Sequence, residues 1–409
     1  MEVADLTLVS VADHVVEPPG LFHAHAPRGL AARLPRLVAD GDGTQRWMLE
    51  GEDLGAPGAG LGTRALPGGT PSGAREALYA GLHPSLYEPA ARIDAMNANG
   101  VLASLSFPTF QAFSGTRLQA LADQAAALGV IQAYNDWQLD EWAAAAPGRL
   151  IPLCVLPAWN VGAAVAEAAR VAAKGARAVA FPESPYAVDL PGFGTDHWDP
   201  LLRAISASGL VLCFQVVRAG RLVQRLAGAP VNPFATQDDL IAPQLAATAC
   251  TDLLVSGALT RFPDLRIAMS HGGIGWVPFL LDRIDLHLKN QVWSGLDLGG
   301  LTGTELFQRH FLVSFVTDPS SLFLRRRIGL STIAWQADFP TSDSTWPKSP
   351  EMLLAELQAA GADDAEITAI TWQNASRFFH LDPLTGLDPP AVSGCAGASV
   401  GSLRCTSPP

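Results

Sequence analysis

The stretch AWQADFPTSDSTWPKSPE, Ala334 to Glu351, decides how this chain is read. A short apolar run, Ser331 to Ala337, stops on one carboxylate, Asp338. Turn residues follow at once: Phe339, Pro340, Thr341, Ser342 and Asp343. A carboxylate at the C-terminal tip of a buried strand, facing a loop, is where a (β/α)8 barrel keeps its chemistry. The same residue could instead cap the next helix or open a turn. The surrounding chain decides between the two.

Outward from Asp338, short apolar runs alternate with helical stretches. The pattern predicts strands over Leu6 to Val16, Val101 to Phe107, Leu150 to Leu156, Ala176 to Phe181, Leu210 to Val217, Leu265 to Ser270, Phe311 to Val316 and Ser331 to Ala337. Between them it predicts helices, among them Glu88 to Asn99, Thr116 to Ala146, Val161 to Lys174, Trp198 to Ser208, Pro243 to Arg261 and Trp276 to Lys289. Several end on glycine or proline, such as Gly100, Gly175 and Gly209. Continuous apolar strands alternating with helices are parallel and covered on both faces. Eight of them predict a closed (β/α)8 TIM-type barrel over residues 1–381. A doubly wound open sheet is the competing fold. It would carry a glycine-rich phosphate loop after its first strand, and HVVEPP is not one. Residues 20–84 read as an irregular insertion over the barrel mouth, with glycine and proline crowding Gly51 to Gly73. Residues 382–409, rich in Pro, Gly and Ser, read as a disordered tail.

Composition removes several classes of function. The 409 residues are 48% hydrophobic and carry a formal net charge of −12, which argues against a nucleic-acid partner. No apolar stretch approaches the ~20 residues needed to span a bilayer, so no membrane partner is expected. The five cysteines are scattered without CxxC spacing, and the N-terminus shows no basic-then-apolar leader pattern. A cytoplasmic, reduced protein with a small-molecule substrate is the expectation.

Polar residues gather at the predicted strand ends: Asp13 and His14 on the first, Glu183 after the fourth, Gln215 on the fifth, His271 on the sixth, Asp318 after the seventh and Asp338 on the eighth. In a barrel all of them converge on one mouth. Two imidazoles and a carboxylate there could hold a divalent metal. They could equally move protons as general acid and base. Each also has a structural reading, as a core histidine, a helix-orienting histidine or an amide tied to a neighbouring strand.

The sequence resembles the amidohydrolase-related family. This branch of the amidohydrolase superfamily includes 2-amino-3-carboxymuconate-6-semialdehyde decarboxylase and γ-resorcylate decarboxylase. The resemblance rests on HVVEPP (His14 to Pro19), YEPAARIDAMNANGV (Tyr87 to Val101), YNDWQLDEW (Tyr134 to Trp142), DHWDPL (Asp196 to Leu201), HGGIGWVPFLLDR (His271 to Arg283), ADFPTSDSTWP (Ala337 to Pro347) and NASRFF (Asn374 to Phe379). It implies a (β/α) barrel with a mononuclear zinc or manganese site. It also implies lyase chemistry, non-oxidative decarboxylation, or hydrolysis. By analogy with relatives, a homodimer is expected.

The departures from the family pattern matter as much. Where the family places its first strand ligand, this chain has Ala12. Where it places a histidine on the fifth strand, this chain has Gln215. After the eighth strand the run is Gln336-Ala337-Asp338, and the family's later histidine is Thr341. Asp13 neighbours His14 and should point to the opposite strand face. The resemblance therefore implies a degenerate metal site. The expectation is an enzyme without a cofactor, or with zinc or manganese held weakly by His14, Asp338 and His271. His271, Asp338 and His14 are the candidate catalytic residues. Gln215, Phe181, Trp335 and Phe339 are the candidate substrate-binding residues. Decarboxylation, dehydration or cyclisation of a small carboxylated or carbonyl-bearing molecule, aromatic ones included, is the expected reaction. An ordinary metal-dependent member of the family is the alternative, and a catalytically dead binding barrel is the third reading.

Overall fold

Apolar runs with no polar face form strands only where both faces are covered. Eight such runs do so here: β1 Leu8–Val15, β2 Val101–Pro108, β3 in two pieces, Leu150–Ile151 and Leu153–Val155, β4 Ala178–Ala180, β5 Val211–Gln215, β6 Arg266–Ser270, β7 Phe311–Phe315 and β8 Ile333–Trp335. All eight residues of β1 are buried. The computed structural model describes residues 1–41, 43–58, 79, 82–109, 115–215 and 236–381.

The strands pair in parallel. β1 lies on β2 and β2 on the first piece of β3. The second piece of β3 leads through β4, β5, β6 and β7 to β8. Pro152, which has no N–H to donate, separates the two pieces of β3. The ring closes where the chain leaving β8 meets β1. There the Asp338 N–H donates to the Ala12 carbonyl at 3.1 Å, and the His14 N–H donates to the Phe339 carbonyl at 2.8 Å. This is the barrel that the alternation implied, and its closing junction carries two of the expected site residues.

Helices cover the ring, and local chemistry sets their ends. α1, Pro89–Ala98, starts on Pro89, whose missing N–H costs nothing in a first turn. α2, Gln124–Trp137, starts where the Asp123 carboxylate accepts from the N–H groups of Ala125 and Ala126 at 3.1 and 3.0 Å. The single long helix expected over 116–146 is thus divided: a short 3-10 turn precedes this cap, and a π turn, Gln138–Trp142, follows α2. α3, Asp199–Ser208, ends on Gly209 at φ 67°, a left-handed cap that glycine takes without strain. α4, Trp276–Asn290, follows β6.

The insertion after β1 is partly regular. Arg36–Ala39, Gln45–Leu49 and Glu52–Asp53 form a small antiparallel sheet. Alternating Arg46, Met48 and buried Trp47, Leu49 are the period-2 signal that a glycine-weighted reading passes over. Trp47 stands edge-on to Phe22, ring centroids 5.2 Å apart. Leu30 and Leu34 close over Gly129 of α2, where a Cβ would meet Leu30 at 2.8 Å. The segment that carries Leu30 and Leu34 therefore packs against α2. Most of the insertion's glycine- and proline-rich stretch lies outside the described residues, as does the tail from 382 onward. Among the described residues no helix is long and apolar enough to cross a membrane.

Candidate active site

Four side chains from four strand ends meet inside the ring. His14 comes from the penultimate position of β1, Gln215 from the last position of β5, His271 from just beyond β6 and Asp338 from just beyond β8. The Asp338 Oδ1 lies 3.1 Å from His14 Nε2 and 3.3 Å from His271 Nε2. The Gln215 amide nitrogen lies 3.3 Å from His14 Nε2 and 3.2 Å from His271 Nε2. The two imidazole centroids are 5.3 Å apart. His14 is 2% exposed, whereas the His271 side chain keeps 15% of its surface open. His271 is thus the more accessible of the two imidazoles.

The backbone at this centre is unusual. His271 and Asp338 both adopt left-handed conformations, φ 64° and 53°, which non-glycine residues seldom take. Side chains hold both. The Gln336 carbonyl oxygen accepts from the His271 N–H at 3.2 Å and from the Ser314 hydroxyl at 2.6 Å. The Thr341 hydroxyl donates to Asp338 Oδ2 at 2.6 Å, and the Thr341 N–H reaches back to the Asp338 carbonyl at 2.9 Å. Burial pushes the His271 imidazole down to about 4; Asp338 opposes this and His14 adds to it. Burial acts to raise the Asp338 carboxyl, but the imidazoles of His271 and His14 and the Thr341 hydroxyl outweigh it and hold it below its usual range. The centre therefore pairs a carboxylate, favoured by the imidazoles around it, with a His271 imidazole whose protonated form burial disfavours.

Asp13 belongs to another network. A bulge in β1 between Ser10 and Asp13 turns both side chains to the same side. Asp13 accepts from the Ser10 hydroxyl at 2.9 Å, from the Phe339 N–H at 3.0 Å and from the Ser104 hydroxyl. Burial raises its carboxyl, and the charge of Arg92 opposes that rise. Arg92, fully enclosed, donates to the Ser85 carbonyl at 2.7 Å and to the His14 carbonyl. Its guanidinium sits 4.9 Å from the Phe339 ring centroid and 5.3 Å from that of Trp142. Burial lowers it to about 10, with Asp13 opposing. Asp13 and Arg92 thus support β1 from behind, and Asp13 is not available to complete a metal shell.

The three aromatic residues expected to line the substrate are packed away from the centre. Phe339 lies against Arg92 and, at 5.7 Å, against Trp346. Phe181 stands edge-on to Trp198 at 5.0 Å, just before α3. Trp335, fully buried, alternates with Gln336 and so occupies the strand face opposite it. The Phe339 and Phe181 rings are taken up by contacts of their own, and none of these contacts includes His14, Gln215, His271 or Asp338 among the described residues. Asp318 accepts from the Ile274 N–H at 2.9 Å and fixes the turn after His271. Burial pushes the Glu183 carboxyl up to about 7, yet no contact among the described residues joins it to the four.

Among the described residues, His14, His271 and Asp338 form the group whose ligand atoms, within 4.8 Å of one another, could hold a metal ion. The donor set nevertheless falls short of a tightly held resident metal. Its single charge is Asp338. Ala12, two residues before His14, offers no donor. Gln215 turns its nitrogen towards the imidazoles and leaves its Oε1 buried without a partner among the described residues. An amide N–H donates hydrogen bonds and does not ligate.

Comparison with solved structures agrees with the barrel. An amidohydrolase from Mycobacterium avium subsp. paratuberculosis K-10 is 20% identical, with a TM-score of 0.70 over 92% of this chain and 99% of the other. The 5-carboxyvanillate decarboxylase from Sphingomonas paucimobilis is 19% identical, with a TM-score of 0.59 over 92% and 99%. The 5-carboxyvanillate decarboxylase from Novosphingobium aromaticivorans DSM 12444, complexed with manganese and 4-hydroxy-3-methoxy-5-nitrobenzoic acid, is 16% identical, with a TM-score of 0.60 over 92% and 97%. At these identities the likeness is one of fold. No curated protein matches the sequence. The amidohydrolase family model matches residues 22–381, nearly the whole described chain, and the chain belongs to that family.

Proposed function

We propose that this protein is a lyase that removes the carboxylate of a small acid by acid–base chemistry at His271, Asp338 and His14, without a resident metal. The observation that carries this reading is the convergence of two imidazoles on one carboxylate oxygen, at 3.1 and 3.3 Å, with only His271 notably open. Decarboxylation breaks one C–C bond. Its electron pair stays on the substrate carbon, CO2 leaves, and one proton must be delivered to that carbon. A buried imidazole suits this role: the charge of an arriving substrate carboxylate raises its proton affinity, it takes up a proton from solvent, and it hands that proton to the carbon that CO2 leaves. Asp338 stabilises the imidazolium that forms, while His14 meets the same Oδ1 and Thr341 holds Oδ2. Dehydration and cyclisation would draw on the same proton relay. Decarboxylation is preferred because solved structures of this fold include decarboxylases of carboxylated aromatic acids. With Phe181, Phe339 and Trp335 packed elsewhere, an aromatic substrate rests on that likeness alone.

The test is CO2 release by the purified protein from a panel of small hydroxylated and keto carboxylic acids, with and without a chelator. Release that survives chelation supports the reading. Release that stops with chelator and returns with added zinc or manganese overturns its metal-free part, and no release from any acid overturns the lyase assignment.

A further inference from the structure

We infer that Gln215 is the residue that keeps this centre from holding a divalent ion tightly, and that a single imidazole at position 215 converts the cluster into a four-donor metal centre. The inference rests on spacing. The four atoms His14 Nε2, Asp338 Oδ1, His271 Nε2 and the Gln215 amide atom form a ring whose successive edges are 3.1, 3.3, 3.2 and 3.3 Å. Four ligands about 2.0–2.1 Å from a tetrahedral zinc lie roughly 3.3–3.4 Å apart. Four of the six edges of such a shell are therefore already at ligand spacing. What the cluster lacks is a fourth strong donor.

Hydrogen-bond accounting points to the same residue. With the amide nitrogen inward, Gln215 can donate one N–H to each imidazole Nε2. Both Nε2 atoms are then acceptors, and both face the Asp338 Oδ1, a third acceptor. The outward Oε1 meanwhile stays buried without a partner among the described residues. Turned by 180°, the amide would place a weak oxygen donor inward and bury its NH2 group instead. Neither orientation supplies a strong ligand. A histidine Nε2 and a glutamine amide atom both stand three bonds beyond Cβ, so an imidazole at 215 reaches the same point with a free lone pair. A carboxylate there reaches it with a charge.

This inference rests on reading the cluster as the working centre, and the two fail separately. The measurement is zinc and manganese content per chain, together with affinity from competition against a chromophoric chelator. It is made on the wild-type chain, Gln215→His and Gln215→Glu, with folding checked by circular dichroism. The expected result is a wild-type chain that loses its ion on dialysis, and variants that retain about one ion per chain with affinity higher by about a hundredfold or more. Retention of a full equivalent by the wild type overturns the inference. So does a folded variant that binds no more tightly than the wild type, and the Glu variant serves if the His variant does not fold. CO2 release by the wild type with no gain in the variants removes this inference and spares the lyase. A gain in the variants with no release from any acid does the reverse.

Discussion

The Nε2 of His14 and the Oδ1 of Asp338 lie 3.1 Å apart across the junction where the first and eighth strands close the barrel. Ring closure and site assembly are therefore one event: the backbone bonds that join 338–339 to 12–14 also bring the carboxylate to the imidazole. Asp338→Asn keeps the shape and removes the charge. We expect it to fold with little change in melting temperature and to lose roughly 10²- to 10⁴-fold in turnover, the usual worth of acid–base assistance. A variant within a factor of two of wild type would show that the charge is not used.

Gln336 is a positioning residue. Its side-chain amide oxygen, Oε1, accepts from the His271 N–H, at a residue whose φ is 64°. Gln336→Leu removes that hold and touches no reacting group. Turnover should fall about tenfold while KM stays within twofold, because the proton carrier is misplaced and substrate binding is not. Equal changes in both would point to a purely structural role.

Arg92 is buried behind β1, tied to the His14 carbonyl and close enough to Asp13 to act on its charge. Arg92→Ala leaves the Asp13 carboxylate without its compensating charge. Removing one member of a buried charged set typically costs about 3–5 kcal/mol, and chemical denaturation should show a loss of that order. Asp13→Asn in the same background should restore part of it.

A second charged clamp sits away from the site. Arg325 donates to Glu366 Oε2 at 2.6 Å, and Arg326 to Oε1 at 2.6 Å. Burial acts to raise the Glu366 carboxyl, but the two guanidinium contacts outweigh it and bring it to about 2. An ordinary glutamate titrates near 4.3. Because the folded value is the lower one, the unfolded chain binds the proton first. The stabilisation is therefore complete above about pH 4.3 and is lost as pH falls towards 2. Urea midpoints measured from pH 5 down to 2.5 should fall less steeply in Glu366→Gln than in wild type. Parallel slopes would contradict this.

The alternation of apolar runs and helices makes the barrel legible, because a parallel strand buried on both faces has few other readings. His14, Gln215, His271 and Asp338 are legible for a related reason: each ends such a run, and the ring brings run ends together. Phe181, Phe339 and Trp335 lie elsewhere than expected because closeness in sequence says nothing about strand face. Phe339 and Phe181, just past their strand ends, are drawn to Arg92, Trp346 and Trp198 by packing that only the fold creates. The roles of Gln336 and Arg92 are hidden for the opposite reason. Gln336 stands two residues before Asp338, and that spacing is its available signal. Arg92 reaches His14 only through tertiary packing. The sheet at 36–53 is obscured by the glycines that follow it.

The most direct test follows the proton. The reaction is run in D2O with an acid that the wild-type protein decarboxylates, and compared with His271→Gln. The account predicts one deuterium on the carbon that lost its carboxylate, and at least about a hundredfold loss of CO2 release in the variant. A His271→Gln protein that releases CO2 at the wild-type rate would contradict it.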